Sequence, residues 1–491
     1  MLRSFLYITG FLLITAVLAS CYKDKGNYAL HAINDITIHT SSDTFRVNKF
    51  DTLQINPVIL QAKSTDEGHL RFEWSVVLDY NVADLTEPAR DTILLLSTQR
   101  NLNIRINLNA ESPGYYYLNY KVTDTVTGVS YYKNMYLYVS TSFQTGWMLL
   151  EQKTDHADIS FITPQNKVYF NIFSAANPDI ILPVSANCLS SVYPNGGSLG
   201  DLNFVLYEKG GYLLDKTSLQ VKAPYTKMFY GAPSVIAPQD VILPDNFSPV
   251  YTFNAGKLYS LNAIYGATLF GAPFVQPDVL GYSLAPYVAS GFAYGGIFFD
   301  QANYRFLYDG GTTTLSAFPQ DNTMAFDLNN VHKTILAMHA GLGDPGFPDN
   351  YYAVFRNLID DSCFLYSFNT EGDPVAMTTQ PILNSPAVQR SVAYLFSNAV
   401  KQMYYAADNN LYVYDMAANR SRIIYTFAGG ENVTDMKLSG STIILATYNG
   451  SAGGGSVYFL PLSQTGDIQG NTYTQKMTGF DKIVNMAYKL G

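Results

Sequence analysis

From Gly114 to Asp124 the chain alternates: Tyr116, Leu118, Tyr120 and Val122 fall on one face of an extended strand, while Asn119 and Lys121 fall on the other. That period of two predicts a half-buried antiparallel strand. Turn residues from Asp124 to Gly128 follow, and Tyr131 to Val139 predicts its partner, with Met135, Leu137 and Val139 facing inward. Upstream, Leu53 to Pro57 and Phe72 to Val76 predict two further strands, the second carrying Trp74 as a candidate core filler. Short strands at this spacing predict a β-sandwich over residues 28–142.

From residue 143 a different pattern repeats: an apolar strand, a Gly- or Asn-containing turn, then a second apolar, aromatic-rich strand. Such hairpins open near residues 147, 204, 250, 296, 352, 402 and 442, about 40 to 57 apart. A four-stranded propeller blade spans roughly 40–50 residues. The repeat therefore predicts a β-propeller over 143–491, seven-bladed, with six or eight as neighbouring solutions. Gly231-Ala232-Pro233 and Gly271-Ala272-Pro273 recur at a spacing that suits equivalent loops of successive blades. Radial repetition also protects the edges of so much sheet.

Composition supports an all-β chain with ample core. Hydrophobic residues make up 47% and charged ones 14%, which describes a folded protein rather than a disordered one. The 39 Tyr and 29 Phe stand against 2 Trp, and aromatic residues favour strands, with Tyr suited to half-exposed sheet faces. The N-terminus differs from everything that follows. Arg3 precedes a mostly apolar run from Phe5 to Ala19, shorter than the roughly 20 residues that span a bilayer, and the segment closes on Leu18-Ala19-Ser20-Cys21. This pattern predicts a signal peptide over residues 1–20, and its ending resembles a lipobox, in which Cys21 carries the lipid and becomes the first mature residue. Residues 21–27 then form a short charged tether. The net charge is −9 at pH 7, and removing Arg3 with the leader makes it more negative by one. No clustered Lys and Arg is available to neutralise phosphates, which argues against nucleic acid as a partner.

Motifs with chemistry are few. Gly196-Gly197-Ser198-Leu199-Gly200 fits Gly-x-Ser-x-Gly but sits between β segments, without the helix that a nucleophile elbow requires. The six His show no ligand spacing, and Asp155-His156-Ala157-Asp158 reads as a polar hairpin turn rather than a metal site. Gly450 to Ser456 lacks the Lys and helix of a phosphate cradle. Cys188 and Cys363 set no disulfide framework, and whether they pair stays open. Asp344 and Asp349 bracket a Pro/Gly-rich stretch that reads as a long loop, and their carboxylates are candidates for glycosidase-type work or for simple solvation. We assign no catalytic residue, metal or cofactor from the sequence. The candidate ligand-binding rings are Tyr230 and Phe270, which open the two Gly-Ala-Pro loops, and Phe347 and Tyr351, within and at the close of the Asp344 loop. The alternative for all four is packing between blades.

The Leu53 to Pro57 strand, Phe72-Glu73-Trp74 and the Gly-Tyr-Tyr-Tyr to Val-Thr-Asp strand resemble a PKD-type immunoglobulin-like domain. With Cys-Tyr-Lys-Asp-Lys-Gly-Asn-Tyr at residues 21–28 and Gly146-Trp147-Met148-Leu149-Leu150 opening the next domain, the chain resembles the PKD-like family lipoproteins of Bacteroidetes. The resemblance implies a surface lipoprotein of the outer membrane, tied to it through lipid alone and associated with a SusC/SusD-type importer. It implies no catalytic residues. The expectation is therefore a non-catalytic binding or accessory protein in glycan or peptide uptake. Alternatives are a propeller-type polysaccharide hydrolase or lyase, and a scaffold or lid without a ligand of its own.

Overall fold

The computed structural model describes residues 33–78, 92–108, 115–140, 143–194, 200–244, 249–291, 293–311, 313–344, 347–372 and 375–490. The leader, the tether and Cys21 lie outside the described residues, as does most of the Gly196 to Gly200 motif. The chain divides into two compact units. One takes the described residues up to Arg46, Thr52–Ile104 and Tyr115–Tyr138; the other takes Val47–Asp51, the described residues from Arg105 to 108, and those from Val139 on.

The N-terminal strands are β1 (Ile36–His39), β2 (Thr44–Asn48), β3 (Thr52–Ile55), β4 (Val58–Gln61), β5 (Leu70–Leu78), β6 (Thr92–Ser97), β7 (Leu102–Arg105), β8 (Tyr115–Asp124) and β9 (Ser130–Ser140). They form a β-sandwich in which one five-stranded sheet runs β2-β9-β8-β5-β6, while β1 pairs with β4 and β3 with β7. The predicted inward face of β8 is the buried one: Tyr116, Leu118, Tyr120 and Val122 alternate with half-buried neighbours. Met135, Leu137 and Val139 of β9 are buried too. Trp74 fills the core, stacked on Tyr120 at 4.0 Å between centroids, and its indole N–H donates to Gln99 O at 3.0 Å. Burying so large a ring costs nothing in lost hydrogen bonds because its one donor is satisfied.

The second unit is a seven-bladed β-propeller. β10 (Gly146–Gln152), β11 (Ala157–Ile162) and β12 (Val168–Tyr169) begin blade 1. Blade 2 is β13 (Ala186–Val192), β14 (Leu202–Tyr207), β15 (Gly210–Leu214) and β16 (Val221–Pro224). Blade 3 is β17 (Pro238–Ile242), β18 (Val250–Asn254) and β19 (Lys257–Leu261). Blade 4 is β20 (Gly296–Asp300), β21 (Arg305–Asp309) and β22 (Leu315–Ala317), with residues 284–289 bridged to β20 as an irregular innermost run. Blade 5 is β23 (Lys333–Asp344), β24 (Phe347–Asn357), β25 (Cys363–Asn369) and β26 (Ala376–Pro381). Blade 6 is β27 (Tyr394–Phe396), β28 (Gln402–Ala407), β29 (Asn410–Asp415) and β30 (Arg420–Thr426). Blade 7 is β31 (Glu431–Ser439), β32 (Thr442–Asn449), β33 (Gly454–Pro461) and β34 (Gln475–Phe480). The last strand, β35 (Lys482–Lys489), pairs antiparallel with β10, so the C-terminal end of the chain completes the first blade and closes the ring.

All seven hairpins read from the sequence are present, each as two neighbouring strands of one blade: β10–β11, β14–β15, β18–β19, β20–β21, β24–β25, β28–β29 and β32–β33. Two expectations need correction. The stretch around Asp344 is no long loop, because β23 and β24 stay in register out to the pair Asp344 and Phe347, with Asp349 and Asn350 as ladder partners of Leu342 and Gly341. Tyrosine, too, is more deeply placed than its polar tip suggested. Tyr251, Tyr404 and Tyr405 are fully buried, yet their hydroxyls donate to Gly295 O at 3.0 Å, Gly466 O at 3.1 Å and Pro386 O at 2.9 Å. A phenol is long enough to bury its ring and still reach a loop carbonyl, which removes the desolvation cost. Cys188 and Cys363 lie on blades 2 and 5, both buried and both free thiols.

Candidate functional site

The innermost strands carry a shared irregularity. Register slips by a residue between Ala186 and Cys188 in β13, Pro238 and Asp240 in β17, Ile335 and Ala337 in β23, and Val433 and Asp435 in β31. In β35 it slips between Ile483 and Asn485, opposite Glu151 and Leu150. A bulge of this kind turns the strand and re-aims the side chains beside it. The residues just past the slip then tie one blade to the next. Asp435 accepts from Met436 N and from Met486 N, both at 2.8 Å, linking blade 7 to β35. Asn485 Oδ1 accepts from Leu189 N at 2.8 Å, linking β35 to blade 2. Asp240 Oδ1 accepts from Ser190 Oγ at 2.6 Å and Cys188 Sγ at 3.4 Å, linking blades 2 and 3.

These groups share one electrostatic space. Burial pushes the Asp435 carboxyl up, against the pull of the Lys437 ammonium, which stands 3.5 Å away. Burial likewise pushes up Asp240, opposed by its bonds from Ser190, Val241 N and Cys188 and by the charge of Lys437. The Cys188 thiol is raised well above its ordinary value, first by burial and then by the Asp240 charge. His339 is pushed down to about 4, by burial and then by Lys437. Tyr287 is pushed up to about 12 by burial and then by Asp240. Lys437 of blade 7 is thus felt by groups on blades 2, 3 and 5, which only the centre of the ring allows. His339 is nevertheless exposed and Asp240 half-exposed. The innermost strands of a propeller ring a central channel, and these groups stand on or beside those strands. The Tyr287 ring meets His339 edge to face at 5.9 Å, and its hydroxyl donates to Leu336 O at 2.8 Å.

The sequence-derived candidates fall elsewhere and do not form one site. Tyr230 is 71% exposed, and its N–H donates to Phe270 O at 3.0 Å. Phe270 itself is wholly buried, 5.4 Å from the Phe229 ring in the core between blades 2 and 3. Tyr351 is buried between blades 4 and 5, stacked 6.0 Å from Phe368. Phe270 and Tyr351 therefore pack the fold and present no stacking face; both follow turn-like residues, but the strand or bridge they enter turns them inward. The Phe347 side chain and Cys21 lie outside the described residues. Asp158, read as part of a polar turn, is buried and accepts from Ile159 N, Phe173 N and Ser174 N, which orders the start of the short helix Ile172–Ala176. His156 bonds the neighbouring Asp155 at 2.6 Å.

Sequence reasoning passed over Asp240, Tyr287, His339 and the Asp435–Lys437 pair, because they are scattered over several blades with no motif around them. One signal was present. Asp240-Val241, Asp435-Met436 and Asn485-Met486 repeat a polar residue before an apolar one at the centre of an innermost strand.

A family model described as the PKD-like family matches residues 21–183. Among curated proteins none matches this chain. Solved structures with a similar course include a quinonprotein alcohol dehydrogenase-like protein from Bacteroides thetaiotaomicron, at 10% identity and a TM-score of 0.45, covering 90% of this chain and 96% of that one. The Dos1 propeller matches at 11% identity and a TM-score of 0.39, covering 75% of this chain and 83% of that one.

Proposed function

We propose that this chain is an outer-membrane lipoprotein, anchored through Cys21 and facing the cell exterior, that binds a glycan or peptide as a non-catalytic accessory of a SusC/SusD-type importer. The observation that carries the non-catalytic half is the state of the channel nucleophiles. Covalent catalysis needs a nucleophile beside a base that a third group orients. Here the Cys188 thiol is pushed up rather than down, the wrong direction for a thiolate. Ser190 donates its proton to Asp240, a carboxyl itself shifted toward its neutral form. The channel imidazole, His339, makes no hydrogen bond to a carboxylate or hydroxyl among the described residues. The anchoring half rests on the leader and the Leu18-Ala19-Ser20-Cys21 ending.

A hydrolase is favoured by one feature. Asp240 and Asp435 are both held toward the protonated form that a general acid requires. Incubating the purified protein with polysaccharides and peptides that support growth of its host separates the readings. Binding without released product supports the accessory role. Product release that disappears in both Asp240→Asn and Asp435→Asn, with folding retained, establishes the hydrolase. For the anchor, Cys21→Ala should move the protein from the membrane fraction to the soluble one, and retention through a salt wash refutes lipidation.

A further inference from the structure

Ring closure leaves a groove where blade 7 meets blade 1. Gly146 lines it; its φ is +148° and an added Cβ would stand 2.3 Å from Ile162 O, so the strand beside the groove takes only glycine there. Its aromatic wall is Trp147 and Tyr488, directly paired across β10 and β35, with ring centroids 5.0 Å apart. Trp147 is buried, whereas Tyr488 keeps 37% of its surface open. Asn166, at the β11–β12 turn with φ +65°, and Ser439 and Thr442, at the β31–β32 turn, line it too. Among the described residues none of these three side chains makes a hydrogen bond, so their donors and acceptors are free for a ligand. Among the described residues no Lys, Arg, His, Asp or Glu lines the groove.

We propose that this groove is a subsite for one neutral sugar residue of a glycan. The proposal rests on the binding role argued above and gives it a ligand class. An aromatic face takes the C–H side of a pyranose, while uncharged amide and hydroxyl groups exchange hydrogen bonds with its hydroxyls. The lack of any charged lining residue disfavours uronates, sulfated sugars and other ions, which would lose hydration with no counter-charge in return. The volume of about 230 Å³ lies below the roughly 300 Å³ at which pockets for drug-sized ligands begin. One residue fits, and the rest of a chain would leave through the open side.

The test uses the full-length protein with the methyl glycosides of glucose, galactose, mannose, xylose and N-acetylglucosamine, titrated by calorimetry and by NMR. At least one should bind saturably, and methyl glucuronide should not. Tyr488→Ala and Asn166→Gly should each weaken that binding about tenfold or more, the latter with an unchanged melting temperature because glycine tolerates the positive φ. Retained affinity in both variants overturns the groove and leaves glycan binding standing at another site. Failure of every glycoside, with binding of peptides instead, overturns the sugar subsite and leaves the peptide form of the accessory role. Failure of glycosides and peptides alike overturns both.

Discussion

Strand β8 of the sandwich buries every second residue, whereas β28 of the propeller buries all six. The difference lies in what stands on either side. β8 has the sandwich core on one face, so Asn119 and Lys121 stay partly open on the other. β28 has a blade on each face. Met403, Tyr405 and Ala407 join the core shared with blade 5, and Tyr404 and Ala406 join the core shared with blade 7. Alternation is thus legible only where one face meets water. In a blade the same period of two still operates, but it sorts residues between two cores rather than between core and solvent. Closure enlarges the contrast. The sandwich sheet ends on β6, an edge strand with Ile93 and Leu95 exposed, while the propeller spends its last strand, β35, on pairing with its first.

The largest effect should come from removing that last strand. Truncation before Lys482 strips β10 of one of its two partners and cuts the Asn485 and Met486 ties to blades 2 and 7; the cooperative thermal transition of the propeller should be lost, and a transition of wild-type sharpness would show that closure is dispensable. Next come single rings. Tyr404→Ala and Tyr405→Ala, adjacent in β28, should each cost roughly 3–5 kcal/mol in chemical denaturation. In β8 only the buried neighbour should: Tyr120→Ala by a similar amount, Asn119→Ala by less than about 0.5 kcal/mol. A neutral substitution at either β28 position would break the two-core account. The same logic separates Phe270→Ala, at roughly 3–5 kcal/mol, from Tyr230→Ala, within about 0.5 kcal/mol.

The smallest effect concerns pH. His339 in the folded chain is held at about 4, below its ordinary 6.5. Between those values the unfolded chain takes up a proton that the folded one does not, so the contribution of neutral His339 is complete above pH 6.5 and falls away as pH drops toward 4. Asp240 and Asp435, shifted up, act with the opposite sign, losing stability as pH rises from the ordinary carboxylate range. The difference in melting temperature between wild type and His339→Gln isolates the histidine. It should be largest near pH 7 and shrink on acidification, and a difference that stays constant with pH would mean that His339 is ordinarily solvated.

The sequence by itself determined the all-β class, the inward face of β8 and β9, Trp74 as core filler and the seven hairpins that became neighbouring strands of seven blades. These are local properties: strand period, turn residues and hairpin spacing all lie within a few dozen residues. Tertiary structure decided the rest. Phe270 and Tyr351 look in sequence like loop aromatics, and only the bridge to Phe229 and the β23–β24 ladder turn them into packing. The channel cluster draws one or two residues from each of several blades, brought together because β35 pairs with β10 to close the ring and because a one-residue slip re-aims five of the innermost strands. A slip of one residue exchanges the two faces of a strand, and where it falls is settled by packing against the neighbouring blade, which no local stretch of sequence contains.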